Sequence, residues 1–276
     1  MRRKLEVALV VSFVLGAVAV AAPPQTLHLV VCSPGSPGST QEAQPRMDAF
    51  AKAVSAKIGT PISAVYEPTD EGGAKQIASA GLAIVSLPFF LAHEQDLGLH
   101  ARLVAVQEGR PALESWTLVT QKGRVGKAEQ LAGFTIASSA GFAPAFVRGA
   151  VKSFGTLPQG VKIEQTTAVL SALRRAANGE PVAVLLDGPQ AAKLASLPFA
   201  AKLGVVAKSP AWPAGLVATV DAKVPEKTWM AIQKVLIGLA ADKASAPALA
   251  AIQMSKFTPL DEKSLESARH AQGRQP

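Results

Sequence analysis

Short apolar runs alternate with helical patterns along most of the chain. The segment from His28 to Cys32 is typical of a buried strand, and downstream apolar positions recur at helical spacing until Gly59, a residue suited to end a helix. Further strands are predicted at Pro61 to Glu67, Leu82 to Ser86, Ala101 to Gln107, Trp116 to Thr120, Phe134 to Ala137, Lys162 to Gln165, Val182 to Leu186 and Gly215 to Val220. This alternation predicts an α/β protein with largely parallel sheets.

Helical patterns fill the intervals between these strands and close the chain. Helices are predicted at Ala74 to Ala80, Phe142 to Phe154, Thr167 to Asn178, Glu226 to Ala241, Ala246 to Met254 and Leu260 to Ala271. Leu87-Pro88 is expected to be a turn. The pattern restarts near Trp116, which predicts a second lobe, and the last helix is expected to rejoin the first lobe.

The amino terminus has the pattern of a secretory signal peptide. Arg2, Arg3 and Lys4 precede an apolar run that ends in Ala19-Val20-Ala21, a site of small residues that a signal peptidase cleaves. We therefore predict a signal peptide over residues 1–21 and a periplasmic protein. A permanent membrane anchor is the alternative, but the run is short for a span of about 20 residues.

The composition limits the partners of the chain. The formal net charge is +8, but the basic residues form no dense block, and the three tryptophans and one tyrosine are not interleaved with them. We expect no nucleic-acid partner, whereas the positive surplus favours anionic ligands. Because Cys32 is the single cysteine, no internal disulfide can form, and we expect this residue to be buried.

Five stretches carry a resemblance to a known family. In chain order they are Leu82-Ala-Ile-Val-Ser-Leu-Pro-Phe-Phe90, Ser115-Trp-Thr-Leu-Val-Thr120, Leu131-Ala-Gly-Phe-Thr-Ile-Ala-Ser-Ser-Ala-Gly141, Ala172-Leu-Arg-Arg-Ala-Ala-Asn-Gly179 and Ala207-Lys-Ser-Pro-Ala-Trp-Pro213. Behind a signal peptide, this arrangement resembles the periplasmic solute-binding proteins of phosphate, phosphite and phosphonate ABC transporters. The resemblance covers nearly the whole mature chain.

The resemblance implies a two-lobed fold of the type II, or Venus-flytrap, class. Two mixed sheets flanked by helices would be joined by two crossing strands, with lobe 1 formed by residues 22–114 and 215–276 and lobe 2 by residues 115–214. A small anionic solute would be held in the cleft between the lobes and delivered to an inner-membrane ABC permease. We expect a monomer without cofactor.

Two loops are candidates for anion binding, because each follows a strand and precedes a helix, where free N–H groups and the helix dipole favour negative charge. The first spans residues 33–40 and lacks the Lys-Ser/Thr ending of a nucleotide-binding loop. The predicted contacts in the two loops are Ser33, Gly35, Ser36, Ser138, Ser139, Gly141 and Phe142. A flexible turn and simple helix capping are the respective alternatives.

Other strand ends and nearby aromatic residues complete the predicted site: Ser86, Phe89, Ser115, Asp187 and Trp212. The alternative role of Ser86, Ser115 and Asp187 is helix capping or turn formation. The alternative for Phe89 and Trp212 is packing in the core. The phosphonate binders that this chain resembles surround an aminophosphonate with several tyrosines and acidic groups, whereas Tyr66 is alone here. This departure leaves open a less polar ligand, or one without an amine.

Two other classes of function remain as alternatives. A periplasmic carrier or sensor of an apolar, lipid-like molecule would use the same cleft, lined by Phe89, Phe142 and Trp212. Enzyme chemistry has little support, because no G-x-S-x-G elbow occurs and Leu97 breaks the H-E-x-x-H pattern in the polar cluster His93, Glu94, Asp96 and His100. We therefore predict no catalytic residue and no metal site.

Overall fold

The computed structural model describes residues 26–36 and 38–273, so the predicted signal peptide lies outside the described residues. The strands are β1 (Leu27–Cys32), β2 (Ile62–Glu67), β3 (Leu82–Ser86), β4 (Leu99–Gln107), β5 (Leu113–Glu114), β6 (Thr117–Gln121), β7 (Thr135–Ser138), β8 (Lys162–Gln165), β9 (Val182–Leu186), β10 (Leu203–Lys208), β11 (Trp212–Pro213), β12 (Gly215–Val220) and β13 (Met254–Pro259). The helices are α1 (Thr40–Ile58), α2 (Asp70–Ile77), α3 (Leu87–His93), α4 (Pro144–Ala150), α5 (Val169–Ala177), α6 (Gly188–Ala192), α7 (Glu226–Gly238), α8 (Ala246–Ala251) and α9 (Glu262–Ala271). None of the helices within the described residues is both long and apolar enough to cross a membrane.

Two mixed sheets share the same local arrangement. The first has the order β13-β4-β12-β3-β1-β2, and β1 pairs in parallel with β2 and β3. The second has the order β10-β6-β9-β7-β8, and β7 pairs in parallel with β8 and β9. Because parallel strands deliver their following loops to one edge, each sheet presents a row of loops at the carboxyl ends of its parallel strands.

Two short segments connect the sheets. The chain leaves the first sheet after β4, passes through β5 and enters the second sheet at β6, and it returns through β11 to β12. β5 and β11 pair antiparallel, with Glu114 opposite Trp212, so the two crossings lie side by side. We call the first sheet with α1, α2, α7 and α8 the first lobe, and the second sheet with α4, α5 and α6 the second lobe. The residue boundaries 114/115 and 214/215 stay a prediction.

Apolar faces explain how the helices are placed. α1 begins at a Ser39 cap and ends at Gly59 in the left-handed region (φ +69°), and its buried face packs on the first sheet with α7 and α8. A second core lies between the two sheets and includes Phe90 of α3, Phe146 of α4 and Leu265 of α9. The lobes therefore share one apolar core. Cys32 is buried and free, as predicted.

Three elements differ from the sequence-based prediction. Leu87-Pro88 begins α3 rather than forming a turn, because proline is accepted in the first turn of a helix. The helix predicted through Met254 ends earlier, since Gln253 adopts φ +57° and β13 then pairs with β4. α9 does not rest on the first lobe alone, because Arg269 Nε donates to Glu94 Oε2 at 3.2 Å while the helix also packs against α4.

Candidate functional site

The strand-end loops of the two lobes converge on one cavity of about 150 Å³. Its first wall belongs to the first lobe and to the parts of both crossings next to it: Ser33, Pro34, Gly35, Ser36, Ser86, Pro88, Gln107, Arg110 and Ala214. Its second wall belongs to the second lobe and the outgoing crossing: Glu114, Trp116, Ser139, Ala140, Phe142, Asp187 and Gln190. The cavity thus lies where the predicted interlobe cleft is expected.

The first loop is held by its own hydroxyl groups. Ser33 Oγ and Ser36 Oγ lie 3.0 Å apart, and the Ser36 N–H donates to the Ser33 carbonyl at 3.1 Å. The N-terminus of α1 is closed by a capping box, in which Ser39 Oγ accepts from the Glu42 N–H and Glu42 Oε2 accepts from the Ser39 N–H at 3.0 Å. A carboxylate of the chain itself therefore occupies the end of α1, and Ser33 and Ser36 remain as the cleft-lining hydroxyls of this loop.

The two candidate loops touch each other across the cleft. Gly35 adopts φ +82°, and a Cβ atom added there would lie 2.8 Å from the Ser139 carbonyl oxygen. Glycine satisfies both demands at this position, since it accepts the left-handed region and leaves room for the opposite backbone. The structure therefore brings Gly35 and Ser139 together as the point of contact between the walls.

The second loop directs most of its polar groups into its own lobe. Ser138 is fully buried, and its Oγ donates to the Leu185 carbonyl at 2.9 Å while accepting from the Ala140 N–H at 3.2 Å. Gly141 packs so closely on the backbone of Glu164 and Gln165 that an added Cβ would lie 2.4 Å from three of its atoms. Ser139 and Phe142 line the cavity, whereas Ser138 and Gly141 shape the loop behind them.

Ser86 is the polar residue at the end of β3. It precedes α3 without making a side-chain cap, and its Oγ is buried with no hydrogen-bond partner among the described residues. A buried hydroxyl without a partner costs free energy unless something supplies one. Because Ser86 lines the cavity, a ligand there can supply that partner.

Arg110, Asp187 and Glu114 form a charged cluster at the crossing between the lobes. Arg110 Nη1 lies 3.6 Å from Asp187 Oδ2, and the other carboxylate oxygen of Asp187 accepts from the Gln190 N–H at 2.8 Å. Glu114 is only 6% exposed, and its Oε2 accepts from the Gly188 N–H at 3.2 Å. Burial, together with the neighbouring charge of Asp187, raises the pKa of Glu114 to about 7, against the opposing effects of Arg110 and the Gly188 N–H.

Besides Ser138 and Gly141, three predicted contacts do not line the cavity. Phe89 is fully buried and contacts the tilted ring of His93, with ring centroids 4.6 Å apart. Trp212 is buried against Phe146, and its indole N–H donates to Ser267 Oγ at 3.2 Å. Ser115 lines a separate surface depression next to Thr117. Of the aromatic lining expected for an apolar carrier, Phe142 alone reaches the described cleft.

Sequence reasoning missed several lining residues, and Arg110 is the most informative of them. It is the one basic residue that lines this cavity among the described residues. Arg110 follows the predicted strand that ends at Gln107, so the rule that polar residues after a strand lie at the cleft could have found it. Glu114, Trp116 and Gln190 have no comparable signal, because they reach the cavity through the crossing and through the first turn of α6.

The two histidines of the polar cluster considered as a metal site, His93 and His100, have separate partners in the structure. His93 Nε2 lies 2.8 Å from Asp70 Oδ1, whereas His100 Nε2 lies 2.8 Å from Asp221 Oδ1. Within the described part of the chain, no group of three or more His, Cys, Asp or Glu side chains is arranged to hold a metal ion.

Comparison with known proteins gives a family match over most of the chain. A family model described as "ABC transporter, phosphonate, periplasmic substrate-binding protein" matches residues 36–265. The resemblance drawn from sequence is thereby confirmed. None of the curated proteins matches the chain.

Solved structures show the same fold. XAC2383 from Xanthomonas citri, solved with chloride bound, has a TM-score of 0.67 at 14% identity, covering 89% of this chain and 96% of that one. A binding protein component of an ABC phosphonate transporter from Pseudomonas aeruginosa has a TM-score of 0.58 at 16% identity. The match covers 90% of this chain and 86% of that one. PhnD1 from Prochlorococcus marinus, in complex with methylphosphonate, has a TM-score of 0.57 at 12% identity. The match covers 88% of this chain and 96% of that one. The predicted fold, α/β with two mixed sheets in two lobes, is confirmed.

Proposed function

Because the chain belongs to the periplasmic substrate-binding proteins of phosphonate ABC transporters, we propose that its interlobe cavity binds a phosphonate-type oxyanion. The family works with a membrane permease and consists of solute-binding proteins rather than enzymes. In this proposal the chain captures its ligand as a monomer in the periplasm, and closure of the two lobes over the ligand is what the permease recognises.

One observation carries the proposal: the Arg110 guanidinium and the hydroxyl groups of Ser33, Ser36, Ser86 and Ser139 line the same small cavity. Guanidinium binds a tetrahedral oxyanion through charge-assisted, often bidentate, hydrogen bonds. Hydroxyls complete the set of donors, and Ser86 Oγ has no partner of its own among the described residues. An engineered cavity of about 150 Å³ holds benzene, so a phosphonate group fits a space of this size.

The acidic residues nearby are compatible with an anion. Both Asp187 oxygens already face donors, the Gln190 N–H and the Arg110 guanidinium. Glu114, with a pKa of about 7, carries only part of a negative charge near neutral pH. Two of the three aromatic residues predicted to line the cleft of an apolar carrier, Phe89 and Trp212, do not line the described cavity, which weighs against that alternative.

The test is a titration with methylphosphonate, phosphate and sulfate by isothermal calorimetry. We expect at least one oxyanion to bind, and Arg110→Gln to weaken it at least tenfold, because a hydrogen bond to a charged group contributes about 1.5–3 kcal/mol. Arg148→Gln is the matched control, since Arg148 is exposed on α4 and does not line the cavity. Unchanged affinity in Arg110→Gln, with the variant folded by circular dichroism, would remove Arg110 from the site.

A further inference from the structure

A second cavity of about 290 Å³ opens from the first wall of the cleft. It lies within the first lobe, between α1, the ends of the central strands and the turn from α8 to β13. Six lining residues belong to both cavities: Ser33, Ser36, Ser86, Gln107, Arg110 and Ala214. The two spaces therefore meet at the arginine and the hydroxyls proposed to hold the oxyanion. We call the second space the side chamber.

The walls of the side chamber are about half apolar and half polar. The apolar part includes Val31, Met47, Ile84, Val85, Ile252 and Met254. The polar part includes Ser86, Gln107 and Tyr66, and the Tyr66 hydroxyl has no hydrogen bond within the described residues. Ser86 at the junction contributes a buried hydroxyl that has no partner among the described residues. A pocket that combines apolar walls with placed polar groups is typical of a site for a small organic molecule.

The charges of the side chamber decide what kind of organic group it suits. Arg46 and Arg110 line it, and no Asp or Glu does so among the described residues. A substituent that carries an ammonium group would meet two positive charges there and no carboxylate. An apolar substituent would meet side chains that exclude water, and each methylene buried would tighten binding roughly fourfold.

We propose that the substrate is a phosphonate with an uncharged, apolar substituent, such as a short alkyl chain or an aryl group. The phosphonate lies at Arg110 and Ser86, and the substituent enters the side chamber. A cavity of about 150 Å³ accepts benzene, so the volume here suffices for a ring or a chain of several carbons. This inference rests on the proposed function, because it takes the position of the oxyanion from it.

A matched series of ligands tests the inference on the unmodified protein. Methylphosphonate tests binding of the phosphonate group with the smallest substituent, and propylphosphonate adds two carbons to it. In 2-aminoethylphosphonate, an ammonium group of similar size replaces the terminal methyl group of the propyl chain. We expect calorimetry to give propylphosphonate an affinity at least tenfold higher than methylphosphonate, from two additional buried carbons. We expect 2-aminoethylphosphonate to bind at least tenfold more weakly than propylphosphonate.

A pair of variants of α8 tests the place of the substituent. Ala251 lines the side chamber and is partly exposed, whereas its neighbour Ala250 is exposed and does not line it. We expect Ala251→Phe to fill the chamber, lower the affinity for propylphosphonate at least tenfold and leave methylphosphonate within twofold. Ala250→Phe is the matched control and should change neither. Retained methylphosphonate binding also shows that each variant is folded.

The outcomes separate this inference from the proposed function. If methylphosphonate binds and depends on Arg110, but propylphosphonate binds no better or 2-aminoethylphosphonate binds more tightly than propylphosphonate, the side chamber does not select an apolar substituent. Equal effects of Ala251→Phe and Ala250→Phe on propylphosphonate would also overturn the inference. If no oxyanion or phosphonate binds, the proposed function fails and the inference fails with it.

Discussion

The two walls of the cleft use their polar groups in different ways. In the first wall, Ser33 and Ser36 pair only with each other, and Ser86 Oγ has no partner among the described residues. In the second wall, Ser138 bonds to its own lobe and Glu114 accepts from the Gly188 N–H. A ligand can therefore recruit Ser86 in the first wall without breaking a bond of the fold, whereas the second wall acts as a rigid surface that closes against it.

The rigidity of the second wall depends most on Gly141. A Cβ atom at this position would overlap the backbone of Glu164 and Gln165 at 2.4 Å, and backbone cannot yield as the end of a side chain can. We expect Gly141→Ala to lower the free energy of unfolding by about 3 kcal/mol, at the upper end of the usual cost of overpacking. Denaturant unfolding, monitored by circular dichroism, measures the change.

The control for this variant is Gly160→Ala, in the same lobe. An added Cβ at Gly160 meets nothing within 4 Å, and the residue is not among those with positive φ. Its substitution should be neutral or slightly stabilising, because alanine restricts the unfolded chain more than glycine does. Similar losses in both variants would mean that the contact of Gly141 with β8 does not brace the second wall.

Glu114 gives the second wall a dependence on pH. Its folded-state pKa of about 7 lies above the ordinary value of 4.5, so protonation stabilises the folded state. The stabilisation is fully present below about pH 4.5 and is lost as the pH rises through 7. We expect Glu114→Gln, which imitates the protonated form, to raise the free energy of unfolding by about 2 to 3 kcal/mol at pH 8 relative to the unmodified protein.

Denaturant unfolding of both proteins at pH 5, 6, 7 and 8 measures the effect of Glu114. The difference between them should grow with pH and level off above pH 7, and it should be small at pH 5. A difference that is the same at every pH would show that the carboxyl is not protonated near neutrality. The substitution would then act through packing alone.

Most of the fold could be predicted from the sequence, because the patterns that mark its strands and helices are local. The strands at Leu82–Ser86, Lys162–Gln165, Val182–Leu186 and Gly215–Val220 were predicted to the residue, since each is a short run bounded by turn-forming or polar residues. β13 was missed because Met254–Pro259 follows a helical pattern without a proline or glycine between them, and the break is the left-handed conformation of Gln253.

The lining of the candidate cavity could be predicted only in part, for a related physical reason. Parallel strands direct their following loops to one edge, so the sequence indicated where Ser33, Ser86 and Ser139 would lie. Which hydroxyl faces the cleft depends on packing that no local pattern contains. Ser138 and Ser139 are adjacent and chemically identical, but only Ser138 reaches the Leu185 carbonyl on the neighbouring strand. Trp212 likewise belongs to the core because its partner Ser267 comes from a distant helix.

Gly35 connects the two walls, so its substitution tests whether closure depends on their contact. Alanine at Gly35 would place a methyl group 2.8 Å from the Ser139 carbonyl oxygen and would hold the walls apart by a few tenths of an ångström. We expect Gly35→Ala to weaken methylphosphonate binding about fivefold, equivalent to about 1 kcal/mol, because the donors of both walls no longer reach the ligand together. Isothermal calorimetry measures this loss.

Gly38→Ala separates that effect from backbone strain. Gly38 also has positive φ (+106°), in the same loop, but an added Cβ there meets nothing within 4 Å. Both alanine variants carry the strain of a left-handed residue, of about 1 kcal/mol, and should lose similar amounts of folding stability. Only Gly35→Ala should lose affinity. If both variants bind equally weakly, strain in the first loop is the cause, and contact with Ser139 does not control closure. If both bind normally, the walls close without needing the room that glycine leaves between them.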